Sequence, residues 1–355
     1  VLPSGPLVPG VERIAVLRAN ALGDTVVALP ALEALRAAYP DARITLLGRQ
    51  HHAALLCSRP SPVDDVVVLP DGAVGDERDA LDATEREALL RDLAAGGWDL
   101  AVQLHGGGRN SNRFVLRLGA RVTVGSRTPD APMLDRWVPY EHYQWEVARY
   151  LEVVGLVGAA PASIEPRVAV VDEDRAAVRR ELPEAGAGAY AVLHPGATDP
   201  RRRWPVESFA EVGRELVRLG RRVIVTGVPA EHDLAERLVT LVGPRDAILA
   251  DRLSLPALVG LLAAADLVVS NDTGPLHLGM AVGAPTVGVF WVGNLVNAGP
   301  LTRRRNRPLT SWRGSCPVCG RATTGERCAH DVSFVADVPP SAAIDAARSL
   351  LGLGP

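Results

Sequence analysis

The stretch Arg13-Ile-Ala-Val-Leu-Arg18, followed by Ala19-Asn-Ala-Leu-Gly-Asp24, decides the fold class. An apolar run bounded by charge reads as a short buried strand. The six residues after it read as a polar glycine turn, and the apolar pattern from there to about residue 38 as a helix. The same alternation continues outward, with strands over 43–48, 63–69, 100–104 and 121–125 and helices over 84–95 and 111–118. Strands alternating with helices imply an α/β domain whose parallel sheet is covered on both faces.

A second series of the same kind opens with a strand over 189–194. It continues with a helix over 206–219, a strand over 222–226, helices over 231–242 and 255–264, a strand over 267–270, a helix over 275–282 and a strand over 286–290. Between the two series, residues 129–187 lose the alternation. They hold a helix over 143–154, a Gly/Pro/Ala-rich run over 155–166 and a charged helix over 172–181. The interdomain connection is expected here, dividing the chain into 1–170 and 171–335, with 336–355 as a terminal helical segment. Ligands of such sheets sit beyond the carboxyl ends of the strands, so two domains facing each other would enclose a central cleft.

At 355 residues the chain exceeds what one hydrophobic core usually organises, and 47% apolar with 22% charged residues describe an ordinary globular protein. The net charge of -3 argues against a nucleic-acid partner or an anionic membrane surface. The longest apolar stretch, 279–293, is broken by four glycines and a proline and is shorter than the roughly 20 residues of a membrane-spanning helix. Residues 1–10 carry prolines and glycines where a signal peptide would be continuously apolar. The expected location is therefore cytoplasmic. All 38 basic residues are arginine, which excludes every chemistry that needs a lysine amine, including Schiff bases and the P-loop lysine.

Five groups of residues carry candidate chemistry. Asn271-Asp-Thr-Gly-Pro-Leu-His277 follows a strand and opens a helix, so Thr273 or Gly274 would cap it and its N-terminus would suit a phosphate; His277 lies one turn on. The loop His194-Pro-Gly-Ala-Thr-Asp-Pro-Arg-Arg-Arg-Trp-Pro205 concentrates Arg201, Arg202 and Arg203, whose guanidinium forks match a diphosphate. Two anion sites on one sheet edge favour a nucleotide-diphosphate ligand. Asp24 serves either as a general base or as a helix cap. His105-Gly-Gly-Gly108 lacks the G-x-S-x-G elbow of a serine hydrolase and reads as a loop offering Arg109, Asn110 and Asn112 to an acceptor. Cys316-x2-Cys319-x8-Cys328-x-His330 has the ligand types of a structural Cys3His zinc site, the alternative being a loop of reduced thiols. Arg303, Arg304, Arg305 and Arg307 read as a solvated turn.

Taken in order, several of these motifs resemble glycosyltransferase family 9, the ADP-heptose heptosyltransferases. They are Arg18 to Asp24 with Pro30, Asp99-Leu-Ala-Val-Gln-Leu-His-Gly, His194-Pro-Gly-Ala with Arg203-Trp-Pro205, Gly227-Val-Pro-Ala-Glu231, and Asp272-Thr-Gly-Pro-Leu-His277. The resemblance implies a GT-B fold of two Rossmann-like domains, a final helix over 341–351 packing back on the first domain, and an inverting transfer that needs no catalytic metal. It implies Asp24 as the base and Arg202, where the family usually has lysine, on the diphosphate. Glu231 would hold the nucleoside, and Gly196, Thr198, Asp272, Thr273, Gly274 and His277 the rest of an ADP-sugar donor. Arg18, Asn20, His105, Arg109 and Asn110 would meet the acceptor. The slightly acidic chain points to a small soluble acceptor such as an aminocyclitol. A lipopolysaccharide (lipid A) core acceptor is the alternative, as is a sugar-nucleotide epimerase or binding protein on the same architecture.

Overall fold

The computed structural model describes residues 5–75, 81–186, 188–324 and 326–353. The chain separates into two compact units, Val1–Ala169 and Val170–Pro355.

The first unit contains β1 (Arg13–Leu17), α1 (Leu22–Val26), α2 (Leu29–Ala38), β2 (Arg43–Gly48), α3 (Gln50–Leu56), β3 (Asp65–Val68) and α4 (Ala83–Ala94). It continues with β4 (Leu100–Gln103), α5 (Ser111–Leu116), β5 (Val122–Arg127), β6 (Arg136–Pro139) and α6 (Glu146–Gly155). Its sheet has the order β3-β2-β1-β4-β5-β6, and every pairing is parallel. β1 and β4 are central, and their residues from Ile14 to Leu17 and Leu100 to Gln103 are buried. Uninterrupted burial explains why these strands are apolar runs rather than alternating ones.

The second unit contains α7 (Asp172–Glu181), β7 (Tyr190–His194), α8 (Val206–Arg218), β8 (Arg222–Thr226), α9 (His232–Val242), β9 (Ala247–Ala250) and α10 (Leu255–Ala264). It continues with β10 (Leu267–Asn271), α11 (Gly274–Ala281), β11 (Thr286–Trp291), α12 (Val292–Ala298), β12 (Asn306–Ser311) and α13 (Pro340–Leu350). The sheet order β12-β11-β10-β7-β8-β9 is that of the first unit repeated, with β7 and β10 in the centre. The core of this unit gathers Trp204, Phe209, Leu216, Val225, Leu238 and Val269.

Several expectations need correction. The helix expected to run to residue 38 is interrupted between α1 and α2: Pro30 sits in the first turn of α2 and has no N–H to donate back toward α1. Gly23, expected in a turn, lies within α1 and is buried. Region 129–187, read as lacking strands, contributes β6, an edge strand that tolerates Pro139 at its end. The turn expected around Arg303 to Arg307 gives way at Asn306 to β12, which pairs with β11. The final helix belongs to the second unit, where α13 packs on α8 and β11 and buries Ala343 and Ala347 in that unit's core.

Candidate functional site

Because β1 and β4 are neighbours whose connections leave in opposite directions, the crevice at their carboxyl ends is where this sheet can admit a ligand. The loop after β1 carries Arg18, Asn20 and the start of α1; the loop after β4 carries His105. They are tied by the Ala19 N–H, which donates to His105 Nδ1 at 3.1 Å, so in the neutral ring the proton is on Nε2. Arg18 is buried. It donates to the Leu104 carbonyl at 2.7 Å and the Asp24 carbonyl at 3.1 Å, lies 4.9 Å over the Tyr150 ring, and places Nη2 3.2 Å from Asp24 Oδ1.

Asp24 is neither a free carboxylate nor an N-cap. It is the third residue of α1, and its Oδ2 accepts from the Ala21 N–H at 3.1 Å. These two contacts fix its rotamer while leaving the side chain 35% exposed. It borders a cleft of about 740 Å³ whose walls include Asn20, Arg49, His51, Asp71 and His105. Asn20 Oδ1 is buried without a hydrogen-bond partner. Arg49, the only cation among the described lining residues, is held by Asp71 at 2.5 Å. Burial, with Arg49 nearby, lowers the pKa of His51.

His52, directly behind this wall, is a buried neutral imidazole. Its Nδ1 accepts from the Arg49 N–H at 2.8 Å, so Nε2 carries the proton toward Thr25 Oγ1 at 2.6 Å. Burial, with His51 and Arg18 adding to it, lowers its pKa to about 3. The ring fits because residue 48 is glycine: a Cβ there would stand 2.5 Å from His52 Nδ1.

Two expected acceptor residues lie outside the cleft lining. Arg109 is exposed and paired with Asp130 at 2.5 Å, and Asn110 donates to the Gly75 carbonyl at 2.9 Å. Asn112, also offered to an acceptor, is buried and fixed between Gln103 and the Pro132 carbonyl.

The second unit builds its crevice from the same two topological positions, after β7 and after β10. Asn271 joins them. Its Oδ1 accepts from the Trp204 N–H at 2.9 Å, and its Nδ2 donates to the Pro195 and Gly196 carbonyls. One buried amide thus pins both ends of the arginine loop. Of the three arginines, Arg201 is locked on Asp199 and Arg203 donates to the Ala197 carbonyl at 2.9 Å. Arg202 is held only loosely, 3.4 Å from the Asp272 carboxylate, with 32% of its side chain open.

Asp272 is buried. It accepts from His277 Nε2 at 3.0 Å and from Asn294 Nδ2 at 2.6 Å. Burial would push this carboxyl up, but the bond from His277, backed by Arg202 and Asn294, outweighs that and holds its pKa below the ordinary value. His277 therefore lies inside the protein rather than facing solvent. Thr273 is the N-cap residue of α11, though its side chain makes no capping bond, and Gly274 and Pro275 open the helix with its positive end at the crevice.

Across the same edge, Gly196 lies against Glu231. A Cβ at residue 196 would meet the carboxyl group at 2.2 Å, so any larger residue there requires the Glu231 side chain to move. Glu231 accepts from the Val228 N–H at 3.2 Å and lies 4.0 Å from His194, whose pKa burial lowers and Glu231 partly restores. Thr198 is exposed on the loop. The sites that sequence reasoning missed are Asn271, Asn294 and the cleft wall of Arg49, His51 and Asp71. Asn294 comes from α12 and the wall from α3 and the loop after β3; neither helix shows a clear periodic pattern.

Cys316, Cys319, Cys328 and His330 come together, their four ligand atoms within 4.8 Å of one another. No described helix is long and apolar enough to cross a membrane.

Comparison with known proteins agrees with this arrangement. Residues 86–323 match the model of glycosyltransferase family 9 (heptosyltransferase). Lipopolysaccharide heptosyltransferase 2 of Salmonella typhimurium is 23% identical over 96% of this chain and 98% of its own length. A family 9 glycosyl transferase structure from Veillonella parvula superposes with a TM-score of 0.77 at 21% identity, covering 96% of this chain and 97% of that one. The E. coli ADP-heptose lps heptosyltransferase II structure gives 0.75 at 19%, covering 96% and 98%. Two six-stranded parallel sheets of this order, superposing on these structures, make this a GT-B fold. The chain belongs to glycosyltransferase family 9, the heptosyltransferases.

Proposed function

We propose that this enzyme transfers a heptose or closely related sugar from an ADP-sugar to an acceptor hydroxyl, with inversion at the anomeric carbon. The observation that carries the reading is Arg202: among the three loop arginines it alone lacks a close partner, and it stands beside the start of α11. A cation and a helix N-terminus together suit a diphosphate. The donor's identity rests on relatives whose names specify ADP-heptose. Glu231 is assigned to the nucleoside, with Gly196, Thr198, Thr273 and Gly274 along the donor. Asp272 and His277 set the position of Arg202 and the helix start.

In this reading the acceptor hydroxyl loses its proton to Asp24 as its oxygen attacks the anomeric carbon. The bond to the diphosphate breaks, and the charge that develops on the leaving oxygen is neutralised by Arg202 and the α11 dipole. Arg18 orients Asp24, while Asn20 and His105 line the cleft that the acceptor would enter.

The cleft also speaks to the acceptor's class. Its lining cation is already neutralised by Asp71, and Asp24 adds a further carboxylate. Among the described lining residues a phosphorylated or carboxylated acceptor would meet only this already paired cation, whereas a neutral or amino-bearing polyol, such as an aminocyclitol, needs none. The names of the relatives favour a second reading, transfer to a lipopolysaccharide core. Calorimetry with a panel of nucleotide sugars, followed by an acceptor screen with the tightest binder, tests both. Transfer to core lipopolysaccharide alone overturns the soluble acceptor, and preference for a uridine or guanosine donor overturns the ADP assignment.

A further inference from the structure

The cysteine cluster is built as a knuckle. Ser315 and Ala322 form an antiparallel bridge, the Cys316 N–H donates to the Arg321 carbonyl at 2.8 Å, and the Gly320 N–H donates back to the Cys316 carbonyl at 2.9 Å. Gly320 closes the turn at φ +72°, in the left-handed region. This fold-back sets Cys316 and Cys319 on one side, and the next segment returns Cys328 and His330 to them, with Cys316 Sγ 3.8 Å from His330 Nδ1. Tetrahedral bonds of about 2.3 Å to sulfur and 2.0 Å to nitrogen place neighbouring ligand atoms roughly 3.5 to 3.8 Å apart, so the cluster is close to the spacing that zinc requires. Three thiols and an imidazole converge where a redox dithiol would need only two. None of the four cysteines is in a disulfide.

The residues just beyond His330 join this cluster to the arginine loop. Ser333 Oγ donates to the Arg203 carbonyl at 2.6 Å, and the Phe334 N–H donates to the Arg201 carbonyl at 2.7 Å. The backbone on both sides of Arg202 is therefore gripped by residues three and four positions beyond a ligand. The Phe334 ring also lies 5.3 Å under the Arg201 guanidinium, and Arg327, next to Cys328, reaches Asp199 at 3.4 Å.

We propose that Cys316, Cys319, Cys328 and His330 bind one structural zinc ion, and that this ion, through Ser333 and Phe334, braces the turn that presents Arg202. The role is positional: zinc takes no part in the transfer. The brace matters to binding only if Arg202 holds the donor diphosphate, so that half rests on the proposed function.

Metal analysis of the protein purified from zinc-supplemented expression is expected to find one zinc per chain, and Cys328→Ser to lose it. Removing zinc from the wild-type protein with a chelator is expected to speed amide exchange at residues 199–204 and 327–334 and to weaken ADP binding about tenfold, and restoring zinc to reverse both. Using the wild-type chain avoids reliance on a variant that fails to fold. Metal-free protein, or iron in place of zinc, overturns the assignment. Zinc whose removal leaves exchange at 199–204 unchanged overturns the brace. If zinc-loaded protein shows the exchange effect yet binds no ADP, the donor reading fails while the zinc brace stands.

Discussion

The two crevices invert each other's charge. In the first unit the cation is buried and the carboxylate open: Arg18 is 3% exposed and Asp24 35%, at 3.2 Å. In the second the carboxylate is buried and the cation open: Asp272 is 6% exposed and Arg202 32%, at 3.4 Å. The strand order is the same, but Arg18 and Asp24 both follow β1, whereas Arg202 follows β7 and Asp272 follows β10. A buried charge needs partners, and in each unit one of them is the group left open to a ligand: Asp24 beside Glu146 for Arg18, and Arg202 beside His277 for Asp272. One topology can therefore offer a proton acceptor in one unit and an anion site in the other, by swapping which member of the pair is buried.

Removing the open carboxylate should cost most. Asp24→Asn keeps the size and the hydrogen bond from Ala21 but cannot take a proton, so turnover should fall about a thousandfold, within the range that general-base catalysis supplies. ADP affinity, measured by calorimetry, should stay within about twofold, since the proposed donor groups belong to the other unit. Normal turnover in this variant would remove Asp24 as the base.

Removing the open cation should act on the other quantity. Arg202→Ala should weaken ADP binding by about tenfold to a hundredfold, the span of a charge-assisted hydrogen bond of about 1.5 to 3 kcal/mol. Arg202→Lys should recover part of this, because it restores the charge but not the fork. The same Arg201→Ala change should do less, since Arg201 is already committed to Asp199. Equal losses from both would erase the distinction between the open and the locked arginine.

His52 separates the two crevices further, because its neutral ring supports the carboxylate side only. Its folded pKa of about 3 lies below the ordinary value of 6.5. The unfolded chain therefore takes up a proton first as pH falls. The contribution is level above about pH 6.5 and is lost progressively between there and about pH 3, at up to about 1.4 kcal/mol per pH unit. Denaturant unfolding from pH 7 to 4 should show this slope, and His52→Gln should flatten it. An imidazole resonance for His52 that titrates near 6.5 would exclude the buried neutral ring.

The central strands and the glycosyltransferase motifs are legible in the sequence because each is a contiguous run: a buried strand must be apolar, and the loop after it must be polar. β6, β9 and β12 are not: they are partly exposed edge strands, and β6 and β12 open with Arg136 and Asn306, which suit turns equally well, whereas the edge strand β3 is marked by its run of valines. Spacing brings Arg202, Asp272 and His277 to one sheet edge, but it cannot tell Arg202 from Arg201, whose partner Asp199 is close to both in sequence. Nor can it show Asn271 as the pin between two loops, because its partners at Pro195, Gly196 and Trp204 lie more than sixty residues away.

The least change is expected at Arg109, and it tests where the acceptor's contacts end. The sequence places Arg109 after the same strand as His105, on a glycine-rich loop, which suits either an acceptor contact or an exposed ion pair. In the structure it is 76% exposed, its carboxylate partner Asp130 is 48% exposed, and neither borders the cleft. Pairs this open are worth roughly 0 to 1 kcal/mol. Arg109→Ala should therefore change unfolding stability little and leave the KM for acceptor within about twofold, whereas His105→Ala, which removes a cleft wall and the partner of the Ala19 N–H, should raise it severalfold. If Arg109→Ala raises KM as much as His105→Ala does, the acceptor reaches beyond the cleft along the loop, and the site extends onto a surface that the crevice of the first unit does not enclose.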